Sequence, residues 1–333
     1  MSGLKRLTHC GRYASGSYDG DVAAKRRPDG VGYFDGLQTC GSVWSCPVCS
    51  AVIRQRRAAE VEQAVTAWLG NGGGVEFVTF TVRHGVGDEL ARSFDACATG
   101  WQRGVIAGRG WVDDRRVFGI AGFVRTIETT YGQANGWHPH VHALLFTDRP
   151  LTETQRNALG SSLFSRWERA AGVGPLNRDC FRIQPVSRDG KELARYLVKV
   201  QDDHGGARSV GLEMTRHDLK QRKGRLLPFD LVDSAADGEA WALRLWWEWE
   251  TVTKGRRCLT WSRGLRERVG LGEEVSDEEV VNEDQGGEVV AMLSPKMWRA
   301  VRAHDDGPAI LLEVIEQNDG AALASFLALV RSG

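Results

Sequence analysis

Three histidines alternate with other residues in the segment 138–142 (HPHVH). Successive side chains of a β-strand point to opposite faces, so this alternation places His138, His140 and His142 on one face. Neutral imidazole nitrogens are good ligands for divalent metals, and a strand holds such ligands at a fixed separation. The apolar run 143–146 anchors the strand. The pattern predicts a metal site; the alternative is a structural histidine cluster.

A third ligand is expected from the strand that precedes the histidines. The segments 117–130 and 138–146 are both strand-like, and the short loop GQANG between them predicts a β-hairpin. Glu128 is the nearest acidic residue across that hairpin. We therefore expect Glu128 to complete the metal site, the alternative being a surface carboxylate on a half-exposed strand.

A second group of reactive side chains lies in the segment KELARYLVKV, which has a helical pattern over 191–200. Spacings of four and three residues place Glu192, Tyr196 and Lys199 on one helical face. A tyrosine has a pKa of about 10, and a neighbouring cation favours the phenolate that acts as a nucleophile. A structural tyrosine beside a helix ion pair is the alternative interpretation.

The chain has seven cysteines, and three of them lie close together as Cys40, Cys46 and Cys49. This clustering fits a metal site in a reducing compartment better than a disulfide framework. A closed structural zinc site needs four ligands. Cys10 and His9 are the candidates for the fourth, and we prefer Cys10. The sequence predicts one structural Zn²⁺.

The elements that must position these residues follow from hydrophobic periodicity. After a cysteine-rich start, the pattern predicts helix 51–69, strand 75–82, helix 88–107, strands 117–130 and 138–146, helix 152–170 and strand 181–186. The order βαββαβ predicts an α+β fold, with an antiparallel sheet and helices on one face, of ferredoxin-like kind.

Four regions are expected along the chain. They are a cysteine-rich zinc-binding module with its helix (1–70), a catalytic domain (71–205), a basic and aromatic extension (206–270), and an acidic linker with a small helical appendix (271–333). The aromatic helix within 240–252 is expected to dock on the catalytic domain.

Charge is distributed unevenly, although the 43 basic and 43 acidic residues cancel in total. Residues 271–290 contain eight acidic and no basic residues, so the remainder of the chain is basic. Such a surplus is expected where phosphates are bound. The candidate DNA-binding residues are Arg216, Lys220, Arg222, Lys223, Arg225, Arg256, Arg257 and Arg263; solvated helix faces are the alternative.

No run of about 18 uncharged apolar residues occurs, and residues 1–20 lack the apolar core of a secretory signal. The sequence therefore predicts a cytoplasmic protein with no membrane partner.

Together these motifs resemble the HUH endonucleases, and within them the rolling-circle replication initiator (Rep) proteins of plasmids, particularly those of actinomycetes. The first family motif resembles residues 77–84 (FVTFTVRH), the second resembles 136–142 (GWHPHVH), and the third resembles 196–199 (YLVK). The resemblance extends over about 40–268. Relaxases commonly carry the histidine motif after the tyrosine, and small HUH transposases usually lack the cysteine module, so the order here favours Rep.

The resemblance implies an HUH endonuclease core that nicks origin DNA through a 5′-phosphotyrosine link and transfers the strand. It implies that His140 and His142 are ligands of an active-site Mg²⁺ or Mn²⁺, that Tyr196 is the nucleophile, and that Glu192 stands where other branches use a second tyrosine. Ending replication then needs water activated by Glu192, or a second subunit of a homo-oligomer. Single-stranded or hairpin origin DNA, a host helicase and a DNA polymerase are the implied partners.

Two alternatives remain at this point. One is a zinc-containing protein that binds an origin or promoter without catalysis, and the other is an HUH transposase or relaxase.

Overall fold

The computed structural model describes residues 2, 4–186, 225–283 and 286–332. Their contacts divide them into two compact units. The first unit contains the described residues up to 53 and from 275 onward, and the second contains those of 54–186 and 225–274.

Nine strands and twelve α-helices are numbered here in chain order within the described residues. The strands are β1 (Val22–Arg26), β2 (Gly32–Asp35), β3 (Gly74–Thr81), β4 (Ile120–Gly132), β5 (Gly136–Thr147), β6 (Phe181–Pro185), β7 (Arg225–Leu226), β8 (Leu259–Trp261) and β9 (Glu288–Leu293). The helices are α1 (Lys5–His9), α2 (Pro47–Gly70), α3 (Leu90–Thr99), α4 (Gly108–Phe118), α5 (Glu153–Ala171), α6 (Asp230–Ala236), α7 (Ala240–Thr253), α8 (Leu265–Arg268), α9 (Asp277–Asn282), α10 (Pro295–Ala303), α11 (Gly307–Glu316) and α12 (Gly320–Ser332).

The second unit is built on an antiparallel sheet in the order β6-β3-β5-β4-β7, with β8 also paired to β4. Four of these strands match the predicted βαββαβ series, and counted along the chain they lie in the order 4-1-3-2. This is the split arrangement of ferredoxin-like sheets. The predicted α+β class with an antiparallel sheet is confirmed.

One face of this sheet packs against a layer formed by α3, α4 and α5. Phe80 of β3 contacts Trp167 of α5 with ring centroids 4.8 Å apart, and Phe123 of β4 contacts Trp111 of α4. The prediction of helices on one face only is wrong, because the end of α2 covers part of the other face. There Trp68 packs edge-on against Phe146 of β5.

The β4–β5 hairpin positions the histidine motif, and its geometry depends on Gly136. This residue has a φ of 71°, in the left-handed region that glycine adopts without strain. A Cβ atom at this position would also lie 2.6 Å from the carbonyl oxygen of Gly85. The hairpin therefore requires glycine at the start of β5.

The first unit contains a smaller antiparallel sheet in the order β2-β1-β9. Val22 and Ala24 of β1 pack with Leu293 of β9 and with the buried faces of α10, α11 and α12 in one core. The C-terminal residues were expected to form a linker and a separate helical appendix. Instead, β9 pairs with β1, so these residues complete the core of the N-terminal unit.

The predicted boundaries differ from the observed ones mainly before β4. The helix expected over 88–107 ends as α3 at Thr99, a π-helical turn follows at Gly100–Val105, and α4 then occupies Gly108–Phe118, which the sequence analysis missed. The helix predicted over 191–200 lies outside the described residues. Among the helices that are described, none has the length and apolar character needed to cross a membrane.

Candidate metal centres

Glu128, His140 and His142 converge on the sheet face that is opposite to the α3–α5 layer. Glu128 lies directly across the β4–β5 ladder from His140. Its Oε2 is 3.3 Å from Nε2 of His140 and 3.1 Å from Nε2 of His142. The predicted trio is thus brought together by register, with His142 buried and Glu128 27% exposed, so the group opens toward solvent at the carboxylate.

These distances fit a shared metal ion. Ligand atoms bonded to one ion at about 2.1 Å and at right angles to each other lie about 3.0 Å apart. Two imidazole nitrogens and one carboxylate oxygen leave further coordination positions open, which suits a site where a substrate must also bind. The donor set could hold a divalent ion, and it does not select one metal.

Two residues of β3 orient His142. The Thr79 hydroxyl lies 3.1 Å from Nδ1 of His142, and the Phe77 ring stacks on the imidazole with centroids 5.1 Å apart. Both residues belong to the first motif, but the sequence analysis gave neither a role. Cross-strand register between β3 and β5 brings them to the site, since Thr79 is directly opposite His142.

The charges of the group favour metal binding at neutral pH. Burial raises the pKa of Glu128, but hydrogen bonds from His140 and His142 outweigh it and hold that pKa below its usual range. Burial lowers the pKa of His142 despite the neighbouring carboxylate. An ionised carboxylate and a neutral imidazole are the forms that bind a metal.

His138 shares the face but lies outside this group. Its Nδ1 is 2.9 Å from Nε2 of His84, a residue that the sequence analysis did not single out. Burial, with the nearby His140, His84 and Arg225, lowers the pKa of His138 to about 3. His138 was predicted as a metal ligand, and the structure pairs it with His84 instead.

The four predicted zinc ligands, Cys10, Cys40, Cys46 and Cys49, form a second group in the first unit. The Sγ atom of Cys10 lies 3.5 Å from both Cys46 Sγ and Cys49 Sγ, and the Cys40 and Cys49 sulfurs are 3.7 Å apart. Four thiolates bound tetrahedrally to zinc at about 2.3 Å have sulfurs about 3.8 Å apart. The group therefore fits a structural metal ion. His9, the other candidate, packs against Tyr13.

Local structure explains why these cysteines meet. Cys46 directly precedes α2 and Cys49 lies in its first turn, so the helix start curls the Cys-x-x-Cys segment around one point. The backbone N–H of Ser42 donates to Cys40 Sγ across 3.5 Å. Contacts among the four sulfurs lower the pKa values of Cys10 and Cys49 and raise those of Cys40 and Cys46. Binding a metal would require Cys40 and Cys46 to lose their protons as well.

Helix α7 is part of the second unit, where its Glu248 contacts α3 and β5. Glu248 accepts hydrogen bonds from the Leu90 backbone N–H at 2.6 Å and from Trp137 Nε1 at 2.8 Å. Trp137 also stacks on Trp249. Glu248 further lines a cavity of about 470 Å³ with Tyr131 and Trp137.

The candidate DNA-binding residues that the structure describes differ in exposure and in their partners. Arg225 and Arg263 are exposed. Arg257 lies 3.7 Å from Glu274 and stays 75% exposed. Arg256 binds Asp95 at 2.8 Å and covers the Phe94 ring, so its guanidinium already has internal partners.

Several predicted site residues lie outside the described residues. They are Glu192, Tyr196, Lys199, Arg216, Lys220, Arg222 and Lys223.

Known proteins resemble this chain over different spans. A family model described as "Replication protein" matches residues 35–169, a span that includes three of the four clustered cysteines and the histidine motif and ends before Tyr196. A Streptomyces lividans protein named "Protein rep" is 33% identical, over 80% of this chain and 73% of that protein. A Streptomyces cyanogenus protein named "Neomycin resistance protein" is 28% identical, over 71% of this chain and 70% of that protein. No solved structure matches the chain.

The family expected from the three motifs is confirmed by these matches. The family model covers the first two motifs, and the S. lividans relative aligns over most of both proteins. The chain belongs to the Rep family of replication proteins, the plasmid replication initiators of actinomycete type.

Proposed function

We propose that the protein starts rolling-circle replication by nicking one strand of origin DNA and holding its 5′ end as a phosphotyrosine. The observation that carries this proposal is the Glu128–His140–His142 group, open on one side, on the face of an antiparallel sheet. Membership of the Rep family supports plasmid DNA as the substrate.

Glu128, His140 and His142 would hold a divalent metal through one carboxylate oxygen and two imidazole nitrogens. A bound divalent ion would supply Lewis-acid polarisation of a phosphoryl oxygen. Thr79 and Phe77 keep the His142 ring in its binding orientation. The exposed side of Glu128 leaves room for a phosphodiester of an unpaired strand, since an in-line attack needs a phosphate that a duplex does not constrain.

Tyr196 is the proposed nucleophile. Its phenolic oxygen attacks the scissile phosphorus after giving up its proton, and Lys199 favours the phenolate by its charge. The bond from phosphorus to the 3′ oxygen breaks as the tyrosyl ester forms, and the released 3′ oxygen takes up a proton. The phosphodiester is exchanged rather than hydrolysed, so rejoining needs no nucleotide cofactor.

The free 3′-hydroxyl then primes a DNA polymerase, while a host helicase unwinds the duplex. At the end of a round, Glu192 takes a proton from a water molecule whose oxygen attacks the phosphorus at the regenerated origin, in place of the second tyrosine found in other branches. The bond from that phosphorus to the 3′ oxygen breaks, and the 3′ oxygen takes up a proton; a second subunit is the other route. The basic residues named above, of which Arg225, Arg257 and Arg263 are exposed, are proposed to bind the phosphates of the origin.

Supercoiled plasmid carrying the cognate origin, incubated with the protein and Mn²⁺ or Mg²⁺, tests the proposal. We expect open circles with protein joined covalently to the 5′ end. Tyr196→Phe should abolish the adduct and keep origin binding, and His140→Ala with His142→Ala should abolish nicking. Tyr131→Phe is the matched control, because the substitution removes the hydroxyl and keeps a ring that packs on Trp137.

Two outcomes contradict the proposal. Adducts that persist in Tyr196→Phe and vanish in Tyr131→Phe would assign the nucleophile to the hairpin. Tight origin binding by the wild-type protein without any nicking would favour the binding protein that has no catalytic step.

A further inference from the structure

The edge strand β6 presents two exposed polar side chains on the same sheet face as the Glu128–His140–His142 group. Arg182 is directly opposite Thr79 in the β3–β6 ladder, and Gln184 is directly opposite Phe77. Directly opposed residues of an antiparallel pair project from the same face. Thr79 and Phe77 both contact His142, so Arg182 and Gln184 share the face of the metal group.

The alternation along β6 agrees with this assignment. Phe181 is buried and packs on Phe80, which lies against the helix layer, and Ile183 lies next to Gly160 of α5. Arg182 and Gln184 are exposed on the opposite side. Within the described part of the chain, no carboxylate forms an ion pair with Arg182.

Register also gives the distance from Arg182 to the metal group. Arg182, Thr79 and His142 occupy one row across β6, β3 and β5. Neighbouring strands are about 4.8 Å apart, so the Cα atoms of Arg182 and His142 are separated by about 10 Å. An extended arginine side chain covers most of that distance. The guanidinium of Arg182 would therefore lie near the phosphate next to the scissile phosphate at the Glu128–His140–His142 group.

A second exposed arginine lies at the other edge of the sheet. Arg225 of β7 is directly opposite Gly132 of β4. Gly132 is four residues from Glu128, an even spacing that keeps the same face. Arg225 is therefore on the face of the metal group, near the hairpin end, whereas Arg182 lies beyond the opposite side of the group.

We propose that single-stranded DNA crosses this sheet face diagonally, from Arg182 at the β6 edge, over the Glu128–His140–His142 group, to Arg225 at the β7 edge. Arg182 binds a backbone phosphate on one side of the scissile phosphate, and Gln184 binds the adjoining sugar or base. The proposal rests on the proposed function in that it takes an unpaired DNA strand as the ligand.

Both ends of this path carry an arginine, and the centre carries the histidines and one carboxylate. A phosphate row is drawn to the two cations by charge, and binding each phosphate releases counterions. A guanidinium can bind two phosphate oxygens at once, which also sets the position of the strand. Arg182 is thereby a positioning residue, since it binds the neighbouring phosphate and so sets the position of the scissile phosphate.

The test uses the full chain and a fluorescein-labelled oligothymidylate of about 20 nucleotides, longer than one binding platform requires. Anisotropy is measured over a salt series without added Mg²⁺ or Mn²⁺ and without chelator, so that no cleavage occurs and the cysteine group keeps its metal. The variants are Arg182→Ala, Arg225→Ala, the double variant, and Arg182→Lys. Arg109→Ala is the matched control, because Arg109 is 94% exposed on α4, in the helix layer on the other face.

We expect each single alanine variant to bind about fivefold more weakly at low salt and to lower the slope of log affinity against log salt by about 0.7, the value for one phosphate contact with a single strand. The double variant should lose about twice that slope. Arg182→Lys should keep most of the slope, and Arg109→Ala should match the wild type.

The path is overturned if Arg182→Ala keeps the wild-type affinity and slope, if Arg109→Ala loses as much, or if the wild type does not bind the oligonucleotide. Nicking of plasmid is assayed in parallel and reports on the proposed function alone. Wild-type nicking with an inert Arg182 would reject the path and keep the nickase, whereas salt-dependent binding through Arg182 without nicking would keep the path and reject the nickase.

Discussion

The Thr79 hydroxyl lies 3.1 Å from Nδ1 of His142, on the imidazole nitrogen opposite the one that faces Glu128. A metal bound at Nε2 requires the ring proton on Nδ1, and that proton then points at the Thr79 oxygen. Such partners fix the tautomer and the ring orientation of a histidine ligand. Thr79 therefore supports the candidate metal group through His142, although it is not one of the three donor residues.

Thr79→Val should weaken Mn²⁺ binding by about tenfold to a hundredfold, because it keeps the side-chain shape and removes the acceptor. Calorimetric titration with Mn²⁺ measures the change. Thr79→Ser should retain binding. Thr81→Val is the control, since Thr81 lies on the same strand opposite His140. Equal losses in both valine variants would reject a specific role for Thr79.

The half-buried His138, paired with His84, predicts a pH-dependent stability. The folded-state pKa of His138 is about 3, below its unfolded value of about 6.5. The unfolded chain thus binds more protons between these values, and the stabilisation that is present above pH 6.5 is lost as pH falls.

Between about pH 5.5 and 4 the slope from this histidine approaches about 1.4 kcal/mol per pH unit. Urea unfolding followed by tryptophan fluorescence, without added Mg²⁺ or Mn²⁺, measures it. His138→Gln should remove that part of the slope. An unchanged slope in the variant would mean that His138 is protonated in the folded protein.

The cysteine group predicts one zinc per chain in protein purified without chelator. Cys46→Ser with Cys49→Ser should abolish zinc content and yield poorly folded protein or lost origin binding, because a small module depends on its metal for folding. Cys180→Ser is the control, since Cys180 is half-buried and outside the group. Metal analysis that finds no zinc in the wild type would reject the site.

The hydrogen bonds of Glu248 predict an effect on the free energy of unfolding at a residue outside the candidate metal groups. Its two oxygens accept from Leu90 N–H and Trp137 Nε1, and a glutamine there would turn one acceptor into a donor facing a donor. Glu248→Gln should reduce the free energy of unfolding by about 1–3 kcal/mol. Glu239→Gln on the exposed start of the same helix, where Glu239 accepts from Trp241, should cost little. Equal effects would mean that the two hydrogen bonds accepted by Glu248 are unimportant for stability.

Local patterns were enough to predict that Glu128, His140 and His142 meet on one face of the hairpin. Period-two alternation put His140 and His142 on one face, and a short loop brought Glu128 opposite them. The same alternation also suggested His138 as a ligand. The structure instead places His138 beside His84, because sharing a face does not mean sharing a point: a strand advances about 3.4 Å per residue, so His138 lies well along the strand from His142.

Features that depend on distant pairing were missed. Thr79 and His84 contact the histidines only through the register of β3 with β5 and the chain that follows β3, and no local pattern encodes that register. Strand β9 was missed for the same reason, because its partner β1 lies near the other end of the chain. Arg256 was counted as a DNA-binding residue from a basic run, whereas Asp95 and Phe94 occupy its guanidinium.

The last prediction separates initiation from termination, and it rests on the helical pattern of 191–200. Glu192 precedes Tyr196 by one helical turn, so both side chains are expected on one face. A carboxylate with a pKa of about 4.3 is ionised at pH 7 and can accept a proton from water, but the first attack by the phenol does not need it.

Glu192→Ala should therefore still nick plasmid and form the tyrosyl adduct, and should fail to release product after one round. Replication in a permissive host should then run past the termination point and yield plasmid multimers on a gel. Glu192→Gln is the isosteric comparison, because it removes the base and keeps the shape. Normal monomeric circles from both variants would assign Glu192 to an ion pair with Lys199, and would transfer the second step to the tyrosine of a partner subunit.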